Sequence, residues 1–86
     1  GLEAKDNGTI SMRAGSITAS HTGASFSNSK NEQNKLENVV IASDKDSTLM
    51  ETGVSANKKS SVTLDNVTIT QTQSGIFANE ESQITI

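Results

Sequence analysis

The sequence predicts an all-β chain wound as a right-handed parallel β-helix, a solenoid segment of about four coils, and three observations carry that prediction. The chain repeats itself, its apolar residues alternate with polar ones at period two, and its composition suits a narrow core of small and β-branched side chains. A shift of 52 residues superimposes Gly1 on Gly53, Ile10 on Val62, Met12 on Leu64, Ile17 on Ile69 and Gly23 on Gly75, with no gap over the 34 overlapping positions. A shift of 22 superimposes Gly53 on Gly75, Val54 on Ile76, Ala56 on Ala78, Ser60 on Ser82 and Val62 on Ile84. The larger spacing is one unit of 22 residues plus one of 30. The chain therefore reads as a single β-helix segment, residues 1–86, whose coils begin at about Gly1, Gly23, Gly53 and Gly75.

Each coil is justified by the same phrases. The first carries Leu2 and Ala4, then Ile10 and Met12, then Ile17, each inward residue separated from the next by polar ones. The second repeats this with Ala24 and Phe26, then "LENVVI", and holds two polar surpluses that make it longer: one at about 28–35, around "NSKNEQNK", and one at about 43–52, around "SDKDSTLMET". Surpluses confined to fixed places in a repeat are loops on a stacked scaffold. The third coil returns to the short form with "GVSANKKSSVTLDNVTIT", and the fourth opens with "GIFANEESQITI". Runs of about four residues are too short to form a sheet alone. Three of them per coil, each stacked about 4.8 Å from its copy, make a solenoid. The right-handed sense follows from the strong chirality preference of parallel crossovers.

The corner in "LDNV" is specific. Going from Leu64 to Val67 breaks the alternation by one residue, so Asp65 and Asn66 bend the chain. Asn tolerates the left-handed conformation and can bond to its copy one coil away, so Asn38 and Asn66 are expected to stack as structural corner residues. Ala14 and Gly15 stand at the equivalent corner of the first coil, which is expected to be built differently. Asn34 falls where Val62 calls for an inward apolar residue. Either the loop displaces this strand, or Asn34 is buried with a hydrogen-bond partner.

Composition sets limits. Val, Ile, Leu and Phe make up 18 of 86 residues, whereas Ser, Thr and Asn make up 31, a profile shared by disordered linkers and narrow solenoids. A net charge of −3 with scattered basic residues gives no footprint for nucleic acid or an anionic membrane. The absence of Cys excludes a disulfide scaffold and a thiolate metal site. No run approaches the ~18 apolar residues of a membrane span. A first residue other than Met and a last run, "SQITI", with strand character suggest a fragment of a longer β-helix.

The phrases "GVSANKKSSVTLDNVTIT" and "GIFANEESQITI" resemble the coil repeats of the passenger domains of bacterial type V autotransporters, and the resemblance spans essentially the whole chain. The style of short Ser/Thr/Asn-rich coil resembles that of passengers of host-associated alphaproteobacteria. The resemblance implies export through the periplasm of a Gram-negative bacterium and carriage across the outer membrane by a C-terminal translocator barrel, followed by display on the surface or secretion. It implies partners of two kinds: the rest of the β-helix with its barrel, and a host-cell surface protein or receptor. In some such passengers the role is virulence through adhesion or growth-factor-like action on endothelial cells.

No catalytic residue, cofactor or metal site is expected. His21 reads as a solvated corner residue, since a base needs a positioned partner and the sequence names none. Pectate-lyase-like β-helices are the enzymatic alternative, a polysaccharide lyase or hydrolase, but calcium needs about six to eight oxygen ligands. The outward column Arg13, Glu37, Asp65 reads instead as a mixed-charge ladder, and "DKD" at Asp44, Lys45 and Asp46 as a solvated loop. Binding candidates are Lys30, Glu32 and Lys35 in the first loop and Asp44, Lys45, Asp46, Leu49 and Met50 in the second. The two loops are expected to lie near each other, and Leu49 and Met50 to be exposed unless they fold back over the core. Phe77 joins the candidates because it takes an outward position held elsewhere by Glu3, Ser25 and Ser55.

Overall fold

In the computed structural model, which describes residues 1–45 and 47–86, eight strands follow one another with no helix among the described residues. They are β1 (Leu2–Lys5), β2 (Ser11–Ala19), β3 (Thr22–Ser27), β4 (Lys35–Ser43), β5 (Met50–Asn57), β6 (Ser61–Ile69), β7 (Thr72–Ala78) and β8 (Gln83–Thr85). Odd strands form one four-stranded sheet in the order β1-β3-β5-β7, and even strands form another in the order β2-β4-β6-β8. Every pairing is parallel. A chain that alternates between two parallel sheets and always advances to the neighbouring strand is a β-helix. Three steps of about 4.8 Å come to about 14 Å along the stack. Against extents of 34 × 24 × 19 Å, the segment is broader than it is tall.

The ladder registers locate the surplus length. Leu2 pairs with Ala24, a step of 22, whereas Met12 pairs with Leu36, a step of 24, so the β3–β4 connection holds two more residues than the β1–β2 connection. Val54 lies 30 beyond Ala24 and Leu64 lies 28 beyond Leu36; the β4–β5 connection therefore exceeds that between β2 and β3 by 30 − 24 = 6. Both ladders then return to steps of 22.

The expected three short strands per coil are, in the structure, two ladders, one of them folded. β2, β4 and β6 each bend at a residue in the left-handed conformation: Ala14 (φ 66°), Asn38 (φ 55°) and Asn66 (φ 56°). The Asn66 amide donates to Asn38 Oδ1 at 2.6 Å, bridging the corner from coil to coil. In the first coil Gly15 follows at φ 115°, where Val39 and Val67 stand in the others, so this corner turns over two left-handed residues. Alanine has no group to extend the amide stack.

Inward residues stack in columns, as in Met12–Leu36–Leu64 and Ile17–Ile41–Ile69. Phe26, the largest buried side chain, has Ala4 on one side in its column and Ala56 on the other, so two small residues make room for one ring. Asn34 sits in the column above Val62, 1% exposed, and resolves the irregularity as a satisfied buried amide. Its Oδ1 accepts from Ile10 N at 2.9 Å, and its Nδ2 donates to Ser29 Oγ (2.7 Å), Ser61 O (3.0 Å) and Ser29 O (3.1 Å).

Candidate functional site

Two loops leave the second coil, and the structure sets them at opposite ends of β4 rather than side by side. The first occupies 28–34 and turns from one sheet to the other. It is built around a polar plug: Ser29 and Asn34 are buried, Ser29 Oγ donates to Gly8 O at 2.6 Å, and Ser29 N donates to Ser60 Oγ at 2.9 Å. Ser60 N in turn donates to Ser82 Oγ at 2.9 Å, so a file of serine hydroxyls satisfies backbone amides down the corner. Asn31 closes the loop, donating to Thr9 Oγ1 at 2.6 Å and accepting from Gln33 N at 2.8 Å. With these residues tied down, Lys30 and Glu32 stand exposed on a fixed backbone.

A cleft of about 340 Å³ runs beneath this loop. Lys30, Asn31 and Glu32 form one wall; Ser61 and Thr63 of β6 with Gln83 and Thr85 of β8 form a floor of hydroxyl and amide groups. A second hollow of about 330 Å³ continues past Lys30 and Ser61 to Lys59 and Glu81. Around the same corner, Asp6, Asn28, Lys58 and Glu80 line an open depression of about 510 Å³. The Lys59 ammonium lies 3.8 Å from Glu81, a contact at the exposed surface. Lys58–Lys59, Glu80–Glu81 and Asp6–Asn7 all adopt paired left-handed conformations here, a turn that Asn and Gly favour and Lys and Glu do not.

Lys35 belongs to β4, not to the loop. Its ammonium lies 3.2 Å from Glu37 Oε1, and Arg13 Nε donates to the other oxygen, Oε2, at 3.3 Å. The Lys35 hydrogen bond, reinforced by the Arg13 charge, holds the Glu37 carboxyl below the usual carboxylate range. Asp65 completes the column beside Glu37. The charge ladder thus lies on the outer face beside the Asn corner.

The second loop occupies 44–49. Ser43 Oγ donates to Thr48 O at 2.6 Å and accepts from Lys45 N at 3.2 Å. Asp44 and Lys45 are exposed, and Leu49 is 52% exposed. Asp46 lies outside the described residues. Met50 is corrected: it is 0% exposed, opens β5, and belongs to the hydrophobic core, so it contributes no binding surface. Burying its thioether removes apolar area from water, which an exposed loop position forfeits. Phe77 is 49% exposed on the outer face of β7, in line with Ser55, Ser25 and Glu3. The candidates therefore fall into separate regions: Lys30 and Glu32 at one corner, Lys35 beside the charge ladder, Asp44, Lys45 and Leu49 at the far end of β4, and Phe77 on the other sheet.

His21 is a surface residue whose Nδ1 lies 3.3 Å from Ser20 Oγ and whose Nε2 lies 3.5 Å from Glu51 Oε2. All three groups face water, and Ser20 is the neighbour of His21 in the chain. Among the described residues no group of three His, Asp or Glu side chains converges as a metal site. The floor of the cleft was not singled out by sequence reasoning, although the pairing of Ser60 with Ser82 at a shift of 22 already marked that corner. Comparison with protein-family models, curated proteins and solved structures finds no match to this chain.

Proposed function

We propose that this chain is a recognition module, a segment of a β-helical stalk displayed on or secreted from a Gram-negative bacterium, as in autotransporter passengers, that binds a protein receptor on host cells. The observation that carries the reading is the loop 28–34, whose backbone is pinned by buried Ser29 and Asn34 while Lys30 and Glu32 point outward. A loop held in one conformation loses little entropy on binding, and loops on rigid scaffolds are common seats of recognition. The exposed Leu49 and Phe77 add apolar contact area on separate faces. The test is saturable binding of the labelled chain to cultured endothelial cells. Lys30→Ala/Glu32→Ala should weaken binding at least tenfold without moving the unfolding midpoint. Absence of saturable binding, or binding indifferent to these changes, refutes the reading.

A second reading, a polysaccharide lyase or hydrolase, has one observation in its favour: the cleft floor of Ser61, Thr63, Gln83 and Thr85 offers hydroxyl and amide groups suited to sugar hydroxyls. Turnover of acidic polysaccharide, lost on changing Lys30 or Glu32 in the wall of this cleft, would replace the first reading with this one.

A further inference from the structure

A polar shelf lies on the outer flank of the even sheet, not on an end of the stack. In β6, Ser61 and Thr63 alternate with buried Val62 and Leu64 and so face outward. Gln83 and Thr85 of β8 pair with Ser61 and Thr63 and carry the same face into the next coil. The loop 28–34 stands over this flank as a wall. Its Lys30 lines both the cleft of about 340 Å³ and the hollow of about 330 Å³ that leads on to Lys59 and Glu81, so the two spaces form one run.

We propose that this cleft binds a neutral oligosaccharide, held by hydrogen bonds and released unchanged. The inference goes beyond the receptor reading, which the loop carries, and rests on the second reading only for the match between floor groups and sugar hydroxyls. The four floor positions stand about 4.8 Å apart from coil to coil and about 6.6 Å apart along each strand, a patch of the size of one pyranose ring. Three hydroxyls and one amide, each able to donate and to accept, meet ring hydroxyls that do the same. The hydrogen bonds that hold the loop run through Ser29, Asn31, Asn34 and Ser60 and draw on none of the four floor side chains.

The same lining argues against other ligands. A docked peptide needs apolar pockets or a sheet edge to extend. Val62 is the one apolar residue of the lining among the described residues and is 3% exposed, and the floor strand β6 is already paired on both sides, to β4 and β8. Lys30 and Lys59 are matched in number by Glu32 and Glu81, so the run has no net charge to draw in a polyanion. Both phenylalanines lie elsewhere, Phe26 in the core and Phe77 on the odd sheet, so the sugar is gripped by its hydroxyl edges rather than stacked on a ring.

Titration of the isotope-labelled chain, followed by amide NMR shifts, tests this with neutral tetrasaccharides of glucose, mannose, galactose and N-acetylglucosamine, beside tetragalacturonate and a Gly-Ser hexapeptide. At least one neutral tetrasaccharide is expected to bind saturably, with a Kd of about 1 mM or tighter, to shift the amides of 30–32, 61–63 and 83–85, and to be recovered intact. Ser61→Ala with Thr63→Val removes two floor hydroxyls, keeps the Ser61 carbonyl that Asn34 uses, and should weaken binding at least tenfold with the urea midpoint unchanged. Gln83→Ala, at an exposed position, should weaken it as well and serves should the double variant fold poorly. The proposal is overturned if none of the four neutral sugars binds saturably, if binding ignores the floor variants, if tetragalacturonate or the hexapeptide binds as tightly, or if the sugar is cleaved. Endothelial-cell binding that survives Ser61→Ala/Thr63→Val but not Lys30→Ala/Glu32→Ala belongs to the loop alone, so the receptor reading and this one fail separately.

Discussion

Replacing Asn34 by alanine removes a side chain that ties three coils together across the interior. Its Oδ1 receives the Ile10 N–H at 2.9 Å, and its Nδ2 reaches Ser61 O at 3.0 Å and the hydroxyl and carbonyl of Ser29. After truncation the Ile10 N–H loses its acceptor and the Ser61 carbonyl loses a donor. Ser29 Oγ keeps its bond to Gly8 O. A buried polar group left unpaired costs about 1–3 kcal/mol. One orphaned donor, a carbonyl short of a partner and a small void together come to about 3–5 kcal/mol. For 86 residues, stability of roughly 0.05–0.15 kcal/mol per residue gives about 4–13 kcal/mol in total, so the change removes from about a quarter to the whole of it and the urea midpoint should fall steeply. Urea unfolding followed by far-ultraviolet circular dichroism at low concentration measures this, with Asn31→Ala, on the more exposed side of the same loop, as the mild control. Asn34→Val separates polarity from volume. It restores an apolar column above Val62 but still strands the Ile10 N–H, and it should remain destabilised by at least about 1 kcal/mol. A variant with valine as stable as the parent, or more so, refutes the idea that the plug is needed.

Three further outcomes follow from the same structure. Lys58→Asn with Lys59→Gly puts the residues preferred by paired left-handed turns where φ is 52° and 61°, and should raise stability by about 1–2 kcal/mol in the same urea assay; an unchanged midpoint counts against strain at this corner. Met50→Ala should cost about 2–5 kcal/mol and Leu49→Ala less than about 0.5 kcal/mol, and equal effects would contradict the inward placement of Met50. Glu37 is held below its unfolded value, so the stability it contributes is present above an unfolded carboxylate pKa of about 4.3 and is lost as pH falls through the lower folded value. Glu37→Gln should therefore lose its disadvantage relative to the parent as pH drops below about 4, which parallel urea titrations across acidic pH would detect. A constant difference across that range speaks against the charge ladder.

The coil plan was legible because a solenoid writes its period into the chain. The 22-residue spacing is the register of the odd sheet between Val54 and Ile76, and the broken alternation at Leu64 and Val67 is the bend at Asn66. Asn34 was visible as a departure, and its burial followed from asking what an amide needs inside a core. What stayed hidden depended on groups with no apolar signature. Ser29 looks like any loop serine, yet its buried hydroxyl organises the corner. Lys58, Lys59, Glu80 and Glu81 carry no signal for left-handed backbone, although the shift of 52 sets Lys59 on Asn7, which does. Met50 gives no sign of its inward place because it stands in a surplus stretch that reads as loop throughout, whereas the six extra residues are used up before it. The separation of the two loops required knowing that they sit on different sheet-to-sheet crossings.

The return of both ladders to steps of 22 after the long second coil bears on how such a chain changes over time. Extra residues enter at crossings where the backbone is already leaving one sheet for the other, so an insertion shifts no strand against its neighbour and turns no core residue outward. Loop closure grows only slowly with length, each doubling costing about 0.6 kcal/mol. A gene of this design can lengthen, shorten or exchange its corner segments almost without reference to the interior, and two copies with unlike exteriors would still share one skeleton. The same tolerance makes the β3–β4 and β4–β5 crossings the natural places to graft a foreign peptide.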